Sequence, residues 1–400
     1  MKLIKTSSYL LLLFVVVTAS CNKALESHEP LTYDPTPPSQ VSNVIVTNGP
    51  GNATITYTVP NDPLLLYVKA VYKISSGQQY EAKASYYNNS LKVEGFADTL
   101  EHEVQLFSVS RSEVESAPIT IKIKPLKAPI WEVFQSLLIQ NAFGGYNLSA
   151  LNLSRSNISI IVIKKNAFNE YEPDNDQSVY TETDSILSKI RGLDTIDYRF
   201  GFYVKDRWGN KTDTLFKDIK PIYETQLANA NFSPFTLPGD APQWNNGETR
   251  VEYMWDGRYG WPWTVFTPQS AGPQPHMVTF STGILARLSR IWIRPYPEGT
   301  RFYYLTTMKH FEIWGSSNPN LNGDLDNTWT LLGTYNVVKP SGLPYGTDDA
   351  NDQATASAGF DWEVDITAPR VKYIRIRCLE NFAGGTAMSV NELKVYGDPR

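Results

Sequence analysis

The sequence predicts an all-β protein built from several sandwiches, on three observations. Short runs alternating β-branched or aromatic with polar residues recur along the 400-residue chain. Gly, Pro, Asn and Asp break them, and almost no stretch sustains a helical period. A block of sequence recurs at a constant offset of 96 residues. From about residue 223 the texture changes, as tryptophan and tyrosine become dense and the intervals between strands lengthen.

The N-terminus comes first. Met1-Lys2-Leu3-Ile4-Lys5, an apolar core from Tyr9 to Val17, and Thr18-Ala19-Ser20 before Cys21 have the three parts of a secretory signal over 1–20. The core falls short of the roughly 20 apolar residues a membrane-spanning helix needs. The stretch resembles a bacterial lipoprotein signal, which implies that Cys21 becomes the lipidated first residue and the membrane anchor, although Thr18 stands where leucine is usual. An ordinary signal peptide with a coincidental cysteine is the alternative. Residues 21–38, with Pro30, Pro35, Pro37 and Pro38 and few apolar side chains, are expected to be an extended tether.

About 360 residues remain, enough for two or three cores. A hydrophobic content of 42% and a formal net charge of -5 describe an ordinary globular chain with no nucleic-acid footprint. If Cys21 is lipidated, Cys378, the other cysteine, has no partner in the chain. Its apolar-alternating run, Tyr373 to Leu379, predicts a small buried core residue. His28, His102, His276 and His310 lie too far apart for metal-ligand spacing.

Strands are expected at Val41–Val46, Ala53–Val59 and Tyr67–Tyr72. The repeat follows: Asp98-Thr99 recurs as Asp194-Thr195, Arg111 as Arg207, and Ile123-Lys124-Pro125 as Ile219-Lys220-Pro221. A unit of this length fits one immunoglobulin-like or fibronectin type III-like sandwich of about 100 residues. Two such domains are therefore expected over 39–125 and 126–222. Asp206-Arg207-Trp208-Gly209-Asn210 has the composition of a tight turn before the last strand of the second copy. Ser110 to Val114 must build the equivalent turn differently.

Residues 223–400 carry an ordered series of landmarks. They are Trp255-Asp256-Gly257, Val278 to Gly283, Leu288 to Ile293, Lys309 to Ser316, Trp329 to Leu332, Val371 to Ile376 and Asn391 to Gly397. In that order they resemble the discoidin, or coagulation-factor type C, family, which implies a galactose-binding-like jelly roll. Ser281-Thr282 replaces that family's Asp-Leu. The whole arrangement is similar to three-domain surface lipoproteins of unknown function associated with Sus-type glycan-uptake loci. That resemblance implies a lipid-anchored outer-membrane protein at the cell surface, with uptake-system proteins as partners.

Many domains of this fold bind sugars, and the residues for it are present. Tyr259, Trp261 and Trp263 form a Gly- and Pro-broken aromatic run; Arg294, Tyr296 and Tyr303 belong to a second long loop; Phe382 sits before the final strand. Aromatic planes stack on the C–H faces of sugar rings and arginine reads hydroxyls, so these are the candidate glycan-binding residues. Alternatively the rings only cover the barrel end, or they bind a protein partner in an envelope scaffold or adhesin. The resemblance implies a structural calcium held by Asp256 and Glu392, two carboxylates that backbone carbonyls could complete to 6–8 oxygen ligands. Otherwise Asp256 bonds within its own turn and Glu392 pairs with an arginine. No organic cofactor is expected.

For catalysis the available carboxylates are Asp348, Asp349, Asp352, Asp361 and Glu363, the first three in a segment, 341–359, whose composition predicts a solvated loop. No nucleophile elbow, phosphate loop or zinc motif is present. The expectation is non-catalytic carbohydrate binding.

Overall fold

The computed structural model describes residues 33–400. The expected signal peptide, Cys21 and most of the tether lie outside the described residues. From Asp34 onward the chain is hydrogen-bonded to the first domain: the Asp34 N–H donates to Ser112 Oγ at 3.0 Å and the Ser39 N–H to Asp62 at 2.7 Å.

The first domain contains β1 (Ser42–Gly49), β2 (Asn52–Thr58), β3 (Leu65–Lys73), β4 (Gln79–Ser85), β5 (Ser90–Glu94), β6 (His102–Ser110) and β7 (Ile119–Ile123). They form two sheets, β1-β2-β5 and β4-β3-β6-β7. The alternation in β2 sends Ala53, Ile55 and Tyr57 into the core and its polar residues out. The second domain opens with helix α1 (Pro129–Gln135), whose Pro129 is preset for a first helical turn and whose Ile130 and Val133 enter the second core. Next come β8 (Leu138–Ala142), β9 (Gly145–Leu151), β10 (Ile158–Lys165), β11 (Tyr171–Thr181), β12 (Ser185–Ile190), β13 (Tyr198–Asp206) and β14 (Leu215–Ile219). Their sheets, β12-β9-β8 and β11-β10-β13-β14, repeat the three-plus-four topology of the first domain. Both are fibronectin type III-like sandwiches.

The repeat extends to register and hydrogen bonds. His102 faces Ile123 across β6 and β7 as Tyr198 faces Ile219 across β13 and β14. The Ser116 hydroxyl accepts the Ser108 N–H at 3.0 Å, and 96 residues later the Thr212 hydroxyl accepts the Val204 N–H at 3.0 Å. The two turns do differ. Gly209 supplies φ +84 in the second copy, whereas the first uses Glu113 at φ +59, with Ser110 Oγ accepting the Ser112 and Val114 N–H groups.

The Asp206–Asn210 turn is also a joint. Trp208 leaves its own domain and packs edge-on against Tyr80 of the first, 5.0 Å between centroids. Arg207 pairs with Glu94 at 2.6 Å, and Asn210 Nδ2 donates to the Gly95 carbonyl at 3.0 Å.

The third domain contains β15 (Thr225–Gln226), β16 (Ser233–Pro234), β17 (Val265–Phe266), β18 (His276–Arg294), β19 (Met308–Ser316), β20 (Thr330–Asn336), helix α2 (Ala350–Ala358), β21 (Phe360–Glu363), β22 (Val371–Asn381), β23 (Ser389–Val390) and β24 (Glu392–Asp398). It is a jelly roll organised by β18. The ladder with β22 is interrupted between Ser281 and Ala286, around Gly283 at φ +73; it resumes only at Ala286 opposite Val371, and from Arg287 onward β18 pairs with β24 and, over Arg290–Ile293, with β21. Cys378 is a free, fully buried thiol in this core, its pKa pushed up to about 12 by burial.

One expectation is corrected here. Residues 350–358 are a helix, not a solvated loop. Asp349 caps it by accepting the Asp352 N–H, and Asp352 reaches back to the Asp349 N–H, a reciprocal capping box. Asp352 is fully buried and also accepts from the Ser341 N–H and hydroxyl.

Candidate functional site

The segment from Gly257 to Trp263 is a loop hung on the first residues of β24 and the one before it. The Gly257 N–H donates to Glu392 Oε2 at 3.2 Å, the Gly260 N–H to Asn391 Oδ1 at 3.2 Å, and Asn391 Nδ2 to the Trp263 carbonyl at 2.6 Å. Asn391 and Glu392 are both buried, so these anchors are shielded from competing water. The loop therefore displays its rings from a fixed backbone.

Tyr259 is 52% and Trp261 41% exposed. The Arg294 guanidinium lies 3.9 Å from the Tyr259 ring centroid, a cation–π contact that orients the phenol. Trp261 donates its indole N–H to Glu248 Oε1 at 2.8 Å and meets Phe266 edge-on at 5.7 Å; Tyr296 stands 6.3 Å from Trp261. Burial raises the Tyr296 phenol above its ordinary pKa. The structure thus brings Tyr259, Trp261, Arg294 and Tyr296 together.

Two contributors escaped the sequence reading. Trp244, 37% exposed, packs edge-on against the same Phe266 at 5.8 Å, and Glu248 fixes Trp261. The usable signal was an isolated tryptophan in a polar Gln243-Trp244-Asn245 loop, where no core position is expected.

The other candidates lie differently. Trp263 is half-buried, with the Arg258 guanidinium 3.4 Å above one face and Tyr253 edge-on at 5.2 Å, so little of the ring is left for a ligand. Tyr303 is corrected to a core residue. It is 1% exposed and packs with Phe302 and with Ala356 of α2, because the helix covers this loop. Phe382 meets Tyr303 edge-on at 5.4 Å and belongs to that second cluster.

Asp256 and Glu392 flank Gly257. Asp256 accepts from the Arg258 N–H at 2.8 Å and from its guanidinium at 2.7 and 2.9 Å. Burial, with the Asp256 charge adding to it, pushes Glu392 up to about 8. A cation beside the pair would relieve that penalty, so the donors suit a hard ion in kind. Among the described residues no group of three or more His, Cys, Asp or Glu side chains gathers, so backbone carbonyls would have to complete the shell.

The carboxylates considered for catalysis are engaged in structure. Asp348 takes the Phe302 and Tyr303 N–H groups and pairs with Lys339 at 3.0 Å; Asp349 and Asp352 cap α2. Asp361 pairs with Arg290 at 2.8 Å, and Glu363 with Arg191 of the second domain at 2.6 Å.

Three family profiles match the chain in sequence order. Residues 38–125 match a domain of unknown function, DUF4959; residues 126–230 match a second, DUF5126; and residues 255–397 match a third, DUF5000. Together the three matches cover residues 38–230 and 255–397. Among solved structures, a SusE-like protein is 26% identical over 68% of this chain and 100% of its own, with a TM-score of 0.45. The C-terminal domain of a chitobiase from Bacteroides fragilis is 14% identical, covering 43% of this chain and 97% of its own at a TM-score of 0.31. A module, GH31 CBM32-2 bound to GalNAc, is 17% identical, covering 40% of this chain and 95% of its own at a TM-score of 0.26. No curated protein matches the chain. Among the described residues no helix is long and apolar enough to cross a membrane.

Proposed function

We propose that this chain is a lipid-anchored surface protein that captures carbohydrate without transforming it, through the loop end of its third domain. The observation that carries the reading is the solvent-facing group of Trp244, Tyr259 and Trp261, held by Phe266, Arg294, Glu248 and the buried Asn391-Glu392 pair. Indole and phenol faces present flat apolar area that matches pyranose C–H faces, while Arg294 and Glu248 stand beside them to donate to and accept from hydroxyls. A shallow surface site of this kind binds in the micromolar to millimolar range, roughly −8 to −4 kcal/mol. The structural engagement of Asp348, Asp349, Asp352, Asp361 and Glu363 supports a non-catalytic role. Attachment through Cys21, to the outer membrane at the cell surface beside uptake-system proteins, completes the reading, and so does one structural calcium at Asp256 and Glu392.

A glycan array probed with the full chain tests it. Wild type is expected to mark a defined set of glycans that both Trp261→Ala and Trp244→Ala lose while remaining folded. A blank array, together with specific retention of an envelope protein that depends on Trp261, would transfer the site to a protein partner.

A further inference from the structure

We propose that the joint between the first two domains carries a second binding groove, separate from the third domain's loops, that takes a neutral oligosaccharide. Two cavities of about 330 and 540 Å³ meet there, sharing Asn157, Asp206, Arg207 and Trp208. The first lies between the domains. The floor of the second is the outer face of the β11-β10-β13-β14 sheet.

That face is defined by strand alternation. Ile158, Ile160, Phe202 and Val204 fill the core, so Ser159, Ile161, Tyr203 and Lys205 point outward. The ladder sets Tyr180, Ser159 and Lys205 in one row across three strands and Ile161 beside Tyr203 in the next. Tyr180 is 61% exposed and Tyr203 half-buried, so two phenol rings flank hydroxyl and ammonium groups.

The walls are built features. Strand β11 leaves the ladder between Asp174 and Val179, since Ile160 faces Val179 while Val162 faces Asp174. The bulge is held by Ser178, whose hydroxyl donates to the Asp174 carbonyl at 2.6 Å and accepts the Val162 N–H at 3.0 Å. Bulges of this kind re-aim side chains beside binding sites, and this one raises Asn175 as a wall. The facing wall is the Arg207-Trp208 turn, fixed by Glu94 and Tyr80 of the first domain.

The charges decide the ligand class. Lys92 and Arg207 both pair with Glu94 at 2.6 Å, and Arg155 pairs with Asp184 at 2.8 Å, so the joint neutralises much of its own charge. Among the described residues that line the groove, Lys205 is the one cation without an ion pair, and a polyanion would require several. Tyrosine faces, amides and hydroxyls dominate what remains, and that set matches a neutral polyhydroxylated chain.

The test is affinity electrophoresis of the full chain carrying Trp261→Ala, which silences the third-domain site. The gels contain dextran, galactomannan, xyloglucan or arabinoxylan, with polygalacturonate as an anionic control. At least one neutral polymer is expected to retard the protein, and adding Tyr180→Ala and Tyr203→Ala to weaken that binding tenfold or more. No retardation by any of the four, stronger retardation by polygalacturonate, or retardation that survives the tyrosine changes would overturn the proposal. Should the combined variant not fold, Tyr180→Ala alone must weaken binding at least threefold, because its ring stands mostly in solvent; an unchanged affinity counts against the groove.

Discussion

Arg375 shows how much of the third domain hangs on single polar residues. Among the described residues it is the largest fully buried side chain, and its guanidinium bonds Thr279 Oγ1 at 2.7 Å and the Gly323 carbonyl at 2.6 Å, with Asp240 at 3.2 Å. Burial lowers its pKa and raises that of Asp240, so the pair persists only through these mutual contacts. Arg375→Met is expected to cost about 3–5 kcal/mol in urea unfolding, because Asp240 is left buried without its cation. Asp240→Leu in the same chain should restore part of that loss. Neither residue was identifiable from the sequence, since the partners of Arg375 come from strand β18 and two separate loops. Glu392 was identifiable, through the Asn-Glu-Leu motif of the final strand, and so was its neighbour Asp256. If the two hold calcium, a chelator should lower the melting temperature of the wild-type protein, and excess calcium restore it, while Glu392→Gln responds to neither. Equal melting of wild type under both conditions would leave Glu392 as the buried acceptor of the Gly257 N–H.

At the scale of elements, strands were the most legible part of the chain. Alternation in Ala53–Val59 marks β2 to within a residue at each end, and the 96-residue offset carries over to the pairing register of β6 with β7 and β13 with β14. Helix α2 was missed because the glycines, proline and serine that surround it in 341–359 outweighed a local signal, the Asp349-x-x-Asp352 spacing, with Asp in place of the usual Glu at the third position. That miss has a consequence at the site: without the helix, Tyr303 looked available, whereas α2 buries it. Asp349→Ala should destabilise the domain by about 1 kcal/mol through loss of the cap. Asp352→Ala should cost more, since it also strips the acceptor from Ser341. Thermal melting of the two variants distinguishes them. The loop carrying Tyr259 and Trp261 was recognisable as a loop from its glycines and proline, but its suspension from Asn391 and Glu392, some 130 positions later, is a tertiary fact no local pattern encodes.

For the whole molecule, both joints are specified by side chains. Trp208 plugs the second domain into the first, and Arg191 of the second domain bridges Glu224 at 2.7 Å and Glu363 at 2.6 Å beside the third. Trp208→Ala should remove about 1–3 kcal/mol of coupling. In calorimetry this would separate the unfolding of the first two domains into distinct transitions; a single unchanged transition would show that the indole contributes little. Cys21→Ala tests the anchor, and the protein should leave the membrane fraction or stay unprocessed. The central claim, a carbohydrate site on the third domain's aromatic loops, is tested most directly by titrating the strongest array glycan into wild type and Trp261→Ala. The expected result is an affinity at least tenfold weaker in the variant at an unchanged melting temperature. Equal affinities in the two proteins, or a Trp261→Ala chain that no longer folds because the indole is core, would contradict it.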